Sequence, residues 1–87
     1  MSIPLMNPLY RLQYEKAQES HVLLFPEGLV KLSDSAAQIL LLVDGKNSDT
    51  DIIKILQQKF PEASDAIQSD VNAFLLDARE KKWILYE

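Results

Sequence analysis

Apolar and polar positions along this chain follow two periods, one after the other. From Tyr10 to Tyr14 they alternate strictly, with Tyr10, Leu12 and Tyr14 set against Arg11 and Gln13. That is the period-2 pattern of a strand with one face covered. Lys16 to Ser20 is polar and reads as a loop. His21-Val22-Leu23-Leu24-Phe25 and Leu29-Val30-Lys31-Leu32 then flank Pro26-Glu27-Gly28. Proline fits the first central position of a type I turn, and the glycine after it can take positive φ as a bulge. The segment therefore predicts a β-hairpin. Its strands are apolar at consecutive positions, so both faces call for cover.

Beyond Ser33 the period becomes helical. Ser33 suits an N-cap with Asp34 in the first turn. The helix it opens is expected to run to about Val43, with Gly45 placed to end it. Ala36, Ala37, Ile39, Leu40, Leu41, Leu42 and Val43 leave it almost no polar face, which puts it at the centre of the core. Ser48-Asp49-Thr50-Asp51 is a serine cap with an acid three residues on, and opens a second helix. Ile52, Ile53, Leu56 and Phe60 form its apolar stripe, and Pro61 closes it. Ser64 and Asp65 open a third helix reaching about Lys81, with Ile67, Val71, Phe74, Leu75 and Ala78 on one face. Trp83 to Tyr86 reads as a short final strand or a docked tail. Residues 1–9, with Pro4 and Pro8, read as an extended segment ahead of a single domain over 10–87. Strands followed by helices predict an α+β domain. Its expected form is winged-helix-like, a three-stranded antiparallel sheet followed by a three-helix bundle.

Composition narrows the chemistry. The 87 residues, 47% hydrophobic and 25% charged, suffice for one packed core and argue against a disordered chain. Cysteine is absent, which removes disulfides and thiolate metal sites, and the lone His21 is too little for a typical zinc site. Gly28 and Gly45 are the only glycines, so no phosphate-cradling loop can form. The serines fall mostly at turns and caps, no nucleophile–base pair is visible, and His21 reads as a polar residue at a strand end. Asp49 and Asp51 suit the positive end of a helix without a metal. No catalytic residue, metal site or cofactor is therefore expected. No apolar run has the length of a membrane span and no signal peptide opens the sequence, so no membrane partner is expected and the cytoplasm is the default compartment.

A net charge of −4 does not suit phosphate backbones. The second and third helices could pass for a helix-turn-helix, which keeps a winged-helix transcription regulator as an alternative. The start of the reading helix, however, carries Asp65 and Asp70 and no cation before Arg79. No nucleic-acid partner is expected. Protein contact remains. The strand Leu29 to Leu32 is expected at a sheet edge, where an extended peptide can pair as an added strand. Leu75, Leu76 and Arg79 of the third helix would give that peptide apolar cover and a cation. An apolar hairpin on a tight turn is also a candidate for exchange between chains, so monomer and dimer both stay open.

Leu24-Phe25-Pro26-Glu27-Gly28, Leu29-Val30-Lys31-Leu32 and Ser35-Ala36-Ala37-Gln38-Ile39-Leu40 together resemble the PqqD family, pyrroloquinoline quinone (PQQ) biosynthesis protein D. Leu12-Gln13-Tyr14-Glu15, Asp44-Gly45, Asp70-Val71, Phe74-Leu75 and Trp83-Ile84 extend the resemblance over nearly the whole chain. Lys82 departs from it, standing where a glycine would precede the tryptophan. The resemblance implies a peptide chaperone without catalysis of its own. Such a protein binds the ribosomal PQQ precursor peptide and presents it to a radical SAM enzyme. It also implies the peptide-recognition fold of ribosomal natural-product pathways, with the ligand on the third strand and third helix. On this chain those are Leu29, Val30, Lys31 and Leu32, and Asp70 to Lys81. A recognition domain for another modified peptide is the neighbouring alternative.

Overall fold

The computed structural model describes residues 3–86. Its elements are β1 (Pro4–Met6), β2 (Arg11–Glu15), β3 (Ser20–Phe25), β4 (Gly28–Lys31), α1 (Asp34–Leu40), α2 (Asp49–Lys59), a 3₁₀ turn (Pro61–Ala63), α3 (Ser64–Glu80) and β5 (Ile84–Tyr86). The alternating segment and the hairpin build one antiparallel sheet in the order β2-β3-β4. The hairpin is present: Phe25 pairs with Gly28 across the Pro26-Glu27 turn, and Gly28 has positive φ, 155°, but it stands in register rather than as a bulge. The α+β class and the three-helix succession are as expected.

The consecutive apolar residues of β3 explain its central position. Val22 and Leu23 point to opposite faces and both are fully buried. Leu23 joins Leu40, Ile52, Val71, Leu75 and Ile84 in one core cluster. Ser33 caps α1 through its hydroxyl, which accepts from the Ala36 N–H. The helix stops at Leu40, three residues short of the sequence expectation. Leu41, just past its end, is 52% exposed, so the apolar run is not buried throughout. The Asp44 carboxylate accepts from the Lys46 and Asn47 N–H groups and folds the chain into a turn instead. Those two bonds hold the Asp44 carboxyl below its ordinary pKa. Gly45 is favoured here chiefly by its backbone, the nearby Leu5 tip being free to shift. Its φ is 80°, and an added Cβ would lie 2.7 Å from Leu5 Cδ2.

Ser48 and Asp51 form the reciprocal capping box of α2. The α3 stripe buries Val71, Leu75 and Ala78, with Ile67 and Phe74 half-buried beside them. Helix α3 ends in a three-residue motif. The Trp83 N–H donates to the Ala78 carbonyl and the Lys82 N–H to the Arg79 carbonyl, with Lys82 at φ 64°. This is the pattern in which glycine is favoured, and it gives the physical reason a glycine would be expected before the tryptophan. Lys82→Gly is expected to raise stability by about 0.5–1 kcal/mol, since the left-handed conformation strains any residue with a Cβ. Thermal melts of the two chains would check it.

The largest departure is at the N-terminus. Pro4–Met6 is a strand, not a lead-in. It pairs antiparallel with β5 as a separate two-stranded sheet, Pro4 opposite Tyr86 and Met6 opposite Ile84. Pro4 is among the fully buried side chains. Asn7 fixes the junction: its side chain donates to the Lys82 carbonyl at 2.7 Å, and its N–H to the Trp83 carbonyl at 2.9 Å.

Candidate functional site

The strand singled out from the sequence does lie at an edge. β4 pairs with β3 on one side, and no described strand pairs with the other. The phase of the ladder decides what that edge offers. The Leu32 N–H donates to the His21 carbonyl, so Leu32 and His21 form a hydrogen-bonded pair. Along an antiparallel strand, inward and outward backbone groups alternate. Val30 and Gly28 therefore also turn their N–H and C=O groups inward, to β3. The backbone groups of Leu29 and Lys31 face outward, open to an added strand.

Side chains divide differently. Leu29 is 48% exposed, Val30 is half-buried against the core and Lys31 is exposed. Leu32 is interior, so its side chain belongs to the core rather than to a ligand. The same correction applies to Leu75, which is 2% exposed and sits in the α3 stripe between Val71 and Ala78. Leu76, by contrast, is a large apolar residue of α3 that lies exposed, at 58%. It follows Leu75 by about 100° around the helix, which carries it out of the stripe.

Leu76 and Arg79 share a pocket of about 310 Å³ with Asn72, Asp49 and Tyr86, floored by Leu75. Tyr86 organises it. Its hydroxyl donates to both Asp49 oxygens, at 3.0 and 3.2 Å, and the Arg79 guanidinium lies over its ring at 5.5 Å. The last strand is thereby locked to the start of α2 and to α3. Asp49, which the helix dipole alone seemed to explain, is an acceptor in this pocket. Tyr86 carried no signal in the sequence, because the bond joins residues 37 positions apart with no periodic relation.

Burial first, then the hydrogen bond and charge of Asp49, push the Tyr86 hydroxyl up from 10 to about 12, with Arg79 opposing. The fold thus favours the neutral phenol. Its contribution is intact below pH 10 and is lost as pH rises towards 12. In a spectrophotometric titration, a phenolate signal rising near pH 12 should be missing from Tyr86→Phe. The stability of the parent chain should fall more steeply than that of the variant over the same interval.

The residues expected to meet a ligand thus fall into two groups. Leu76 and Arg79 line one pocket, while Leu29, Val30 and Lys31 lie on the sheet edge and line neither that pocket nor the larger depression beside α1. A common core joins them, since Val30 packs against the cluster that contains Leu75. Among the described residues no three His, Cys, Asp or Glu side chains are grouped to hold a metal ion. No described helix is long and apolar enough to cross a membrane.

Three comparisons set the chain among known proteins. The sequence profile of the family described as coenzyme PQQ synthesis protein D (PqqD) matches residues 20–84. A protein of Azotobacter vinelandii named "PqqA binding protein" is 54% identical over 82 residues, covering 94% of this chain and 88% of its own. One of the same name from Pseudomonas aeruginosa is 47% identical over 83 residues, covering 95% and 89%. Among solved structures, the PqqD truncation of Methylobacterium extorquens PqqCD superposes with a TM-score of 0.77 at 32% identity, over 94% of this chain and 87% of that one. It is described as a functional, stand-alone recognition element for ribosomally synthesised, post-translationally modified peptides.

Proposed function

Because this chain belongs to the PqqD family of coenzyme PQQ synthesis proteins, we propose that it binds the PQQ precursor peptide as an added strand on β4. It holds the peptide for a radical SAM enzyme and does no chemistry on it. The observation that carries the binding mode is the outward-facing backbone of Leu29 and Lys31 on an unpaired edge. Main-chain pairing supplies affinity that tolerates side-chain variation, and neighbouring pockets supply selectivity. Leu76 and Arg79 of α3 serve the latter, as apolar cover and as a cation for an acidic peptide. The name of the relatives, PqqA binding protein, supports the precursor peptide as the ligand. The cytoplasm, where such an enzyme and a nascent peptide would meet, is the compartment it fits.

Titrating ¹⁵N-labelled protein with synthetic precursor peptide tests the reading. Amide shifts should concentrate at Leu29–Leu32 and between Asn72 and Arg79. Shifts confined to α2 and the 46–50 loop would overturn it. Arg79→Glu should weaken binding more at low than at high salt, because the Debye length falls from about 30 Å at 0.01 M to about 8 Å at 0.15 M. Incubated with this protein alone, the peptide should keep its mass.

A further inference from the structure

A broad apolar depression of about 890 Å³ lies away from β4. It is walled by α1, the end of α2, the 3₁₀ turn and the first half of α3, with the β2–β3 turn closing one side. Four apolar side chains reach into it without being covered. Tyr14 is 54% exposed, Leu41 52% and Phe60 41%, and Ile67 is half-buried. Such a patch on a small domain is a contact surface more often than a packing accident.

Its charge is one-sided. Glu19, Asp34, Glu62 and Asp70 line it, and no lysine or arginine does. A cation at its margin, Lys59, is tethered there by the chain itself. Lys59 donates to the Gln38 side chain at 2.9 Å and lies 5.7 Å from the centre of the Phe60 ring. Gln38 and Phe60 both belong to the lining. Lys59 thus already makes the contact an incoming cation would make, with an aromatic face and a carbonyl oxygen at the edge of a carboxylate-rich rim.

Position separates this surface from the proposed peptide site. At about 100° per residue, Ile67 and Asp70 lie on one flank of the buried α3 stripe, and Asn72, Leu76 and Arg79 on the other. Both flanks can be occupied together. The walls are chiefly helical, so entry is by side-chain insertion into a groove rather than by strand pairing.

We infer that this depression is a second docking surface, for an amphipathic helix of a partner protein that carries bulky apolar side chains beside lysines or arginines. Apolar anchors fill the space over Leu41, Phe60 and Ile67, and the basic residues meet the four carboxylates. A protein that holds a peptide on one flank of α3 would in this way be held by its partner on the other.

The probe is a synthetic leucine–lysine amphipathic helix, titrated into ¹⁵N-labelled protein beside a leucine–glutamate helix of the same length. Shifts are expected at Leu41, Phe60, Ile67 and Asp70 with the lysine helix and at none of them with the glutamate helix. Glu62→Lys with Asp70→Lys should weaken the lysine helix by about tenfold or more, while the equally charged control pair Glu27→Lys with Glu80→Lys should change it less than about threefold. Equal loss in both pairs would reduce the effect to net charge and overturn the inference, as would shifts at Leu29–Leu32 or no binding at all. Should the same residues shift on concentrating the chain alone, the occupant is a second copy and the foreign-helix assignment falls. None of these outcomes alters the precursor-peptide titration, so the two readings fail separately.

Discussion

Replacing Leu40 with alanine is expected to destabilise the fold by about 2–5 kcal/mol, the range for removing a buried leucine side chain. Domains of this size have total stabilities starting at about 5 kcal/mol, so the variant should be partly unfolded under ordinary conditions. Leu40 is 1% exposed and sits in the cluster with Leu23, Ile52 and Ile84, where sheet, helices and terminal strand meet. Leu41 next to it is the control. Half of its surface already faces water, so Leu41→Ala should stay within about 0.5 kcal/mol of the parent. Urea denaturation of the three chains gives the comparison. A Leu40→Ala midpoint equal to that of Leu41→Ala would mean that the core closes over the cavity without loss.

The second large effect is on binding. From the sequence, proline at Val30 is the natural way to spoil an edge strand. The ladder phase moves the test by one residue. Val30 turns its N–H inward to Leu23, so proline there removes a bond of the hairpin itself and attacks the fold. The Lys31 N–H points outward, and proline is tolerated on an edge strand where the missing donor faced solvent. Lys31→Pro is therefore expected to keep the circular dichroism and melting behaviour of the parent. Precursor-peptide affinity should fall about tenfold or more, one lost backbone hydrogen bond plus a misfitted strand costing on the order of 1–2 kcal/mol. Lys31→Ala separates the lost charge from the lost donor and should retain most of the affinity. If the proline and alanine variants bind alike, the peptide does not pair with β4.

The difference between residues 30 and 31 shows what could be read from the chain and what could not. Periodicity placed the three-stranded sheet, the two N-caps and the α3 stripe, because each rests on spacing within a few residues. The edge-strand argument and the resemblance added Leu32 and Leu75 to the ligand's side, although both side chains are core and the stripe itself had already counted Leu75 there. A strand residue can serve through its backbone while its side chain points inward, and hydrophobicity does not separate those roles. Periodicity also took seven apolar residues from Ala36 to Val43 as one continuous helix. Past Leu40 the bonds tighten instead, the Leu42 N–H donating to the Ile39 carbonyl and the Val43 N–H to that of Leu40, and Leu41 is left half exposed. The Tyr86–Asp49–Arg79 group and the β1–β5 sheet were out of reach for a different reason. Both depend on contacts between residues tens of positions apart, and β1 is only three residues long with a proline at its head.

Pairing of Pro4 with Tyr86 brings the two ends of the described chain into one unit. Chain ends ordinarily fray separately, each at its own small cost. Here the opening of β1 uncovers Ile84, releases the Asn7 bonds at the end of α3 and leaves β5 without a partner. Closing a loop of this span costs on the order of 4 kcal/mol in chain entropy, so the pair has little tendency to reform until the core between its strands is in place. The two ends then behave as a clasp. Backbone amides of Leu5 and Leu85 would exchange with solvent in a single shared event, and a cut or deletion at one end would loosen the other as much as itself.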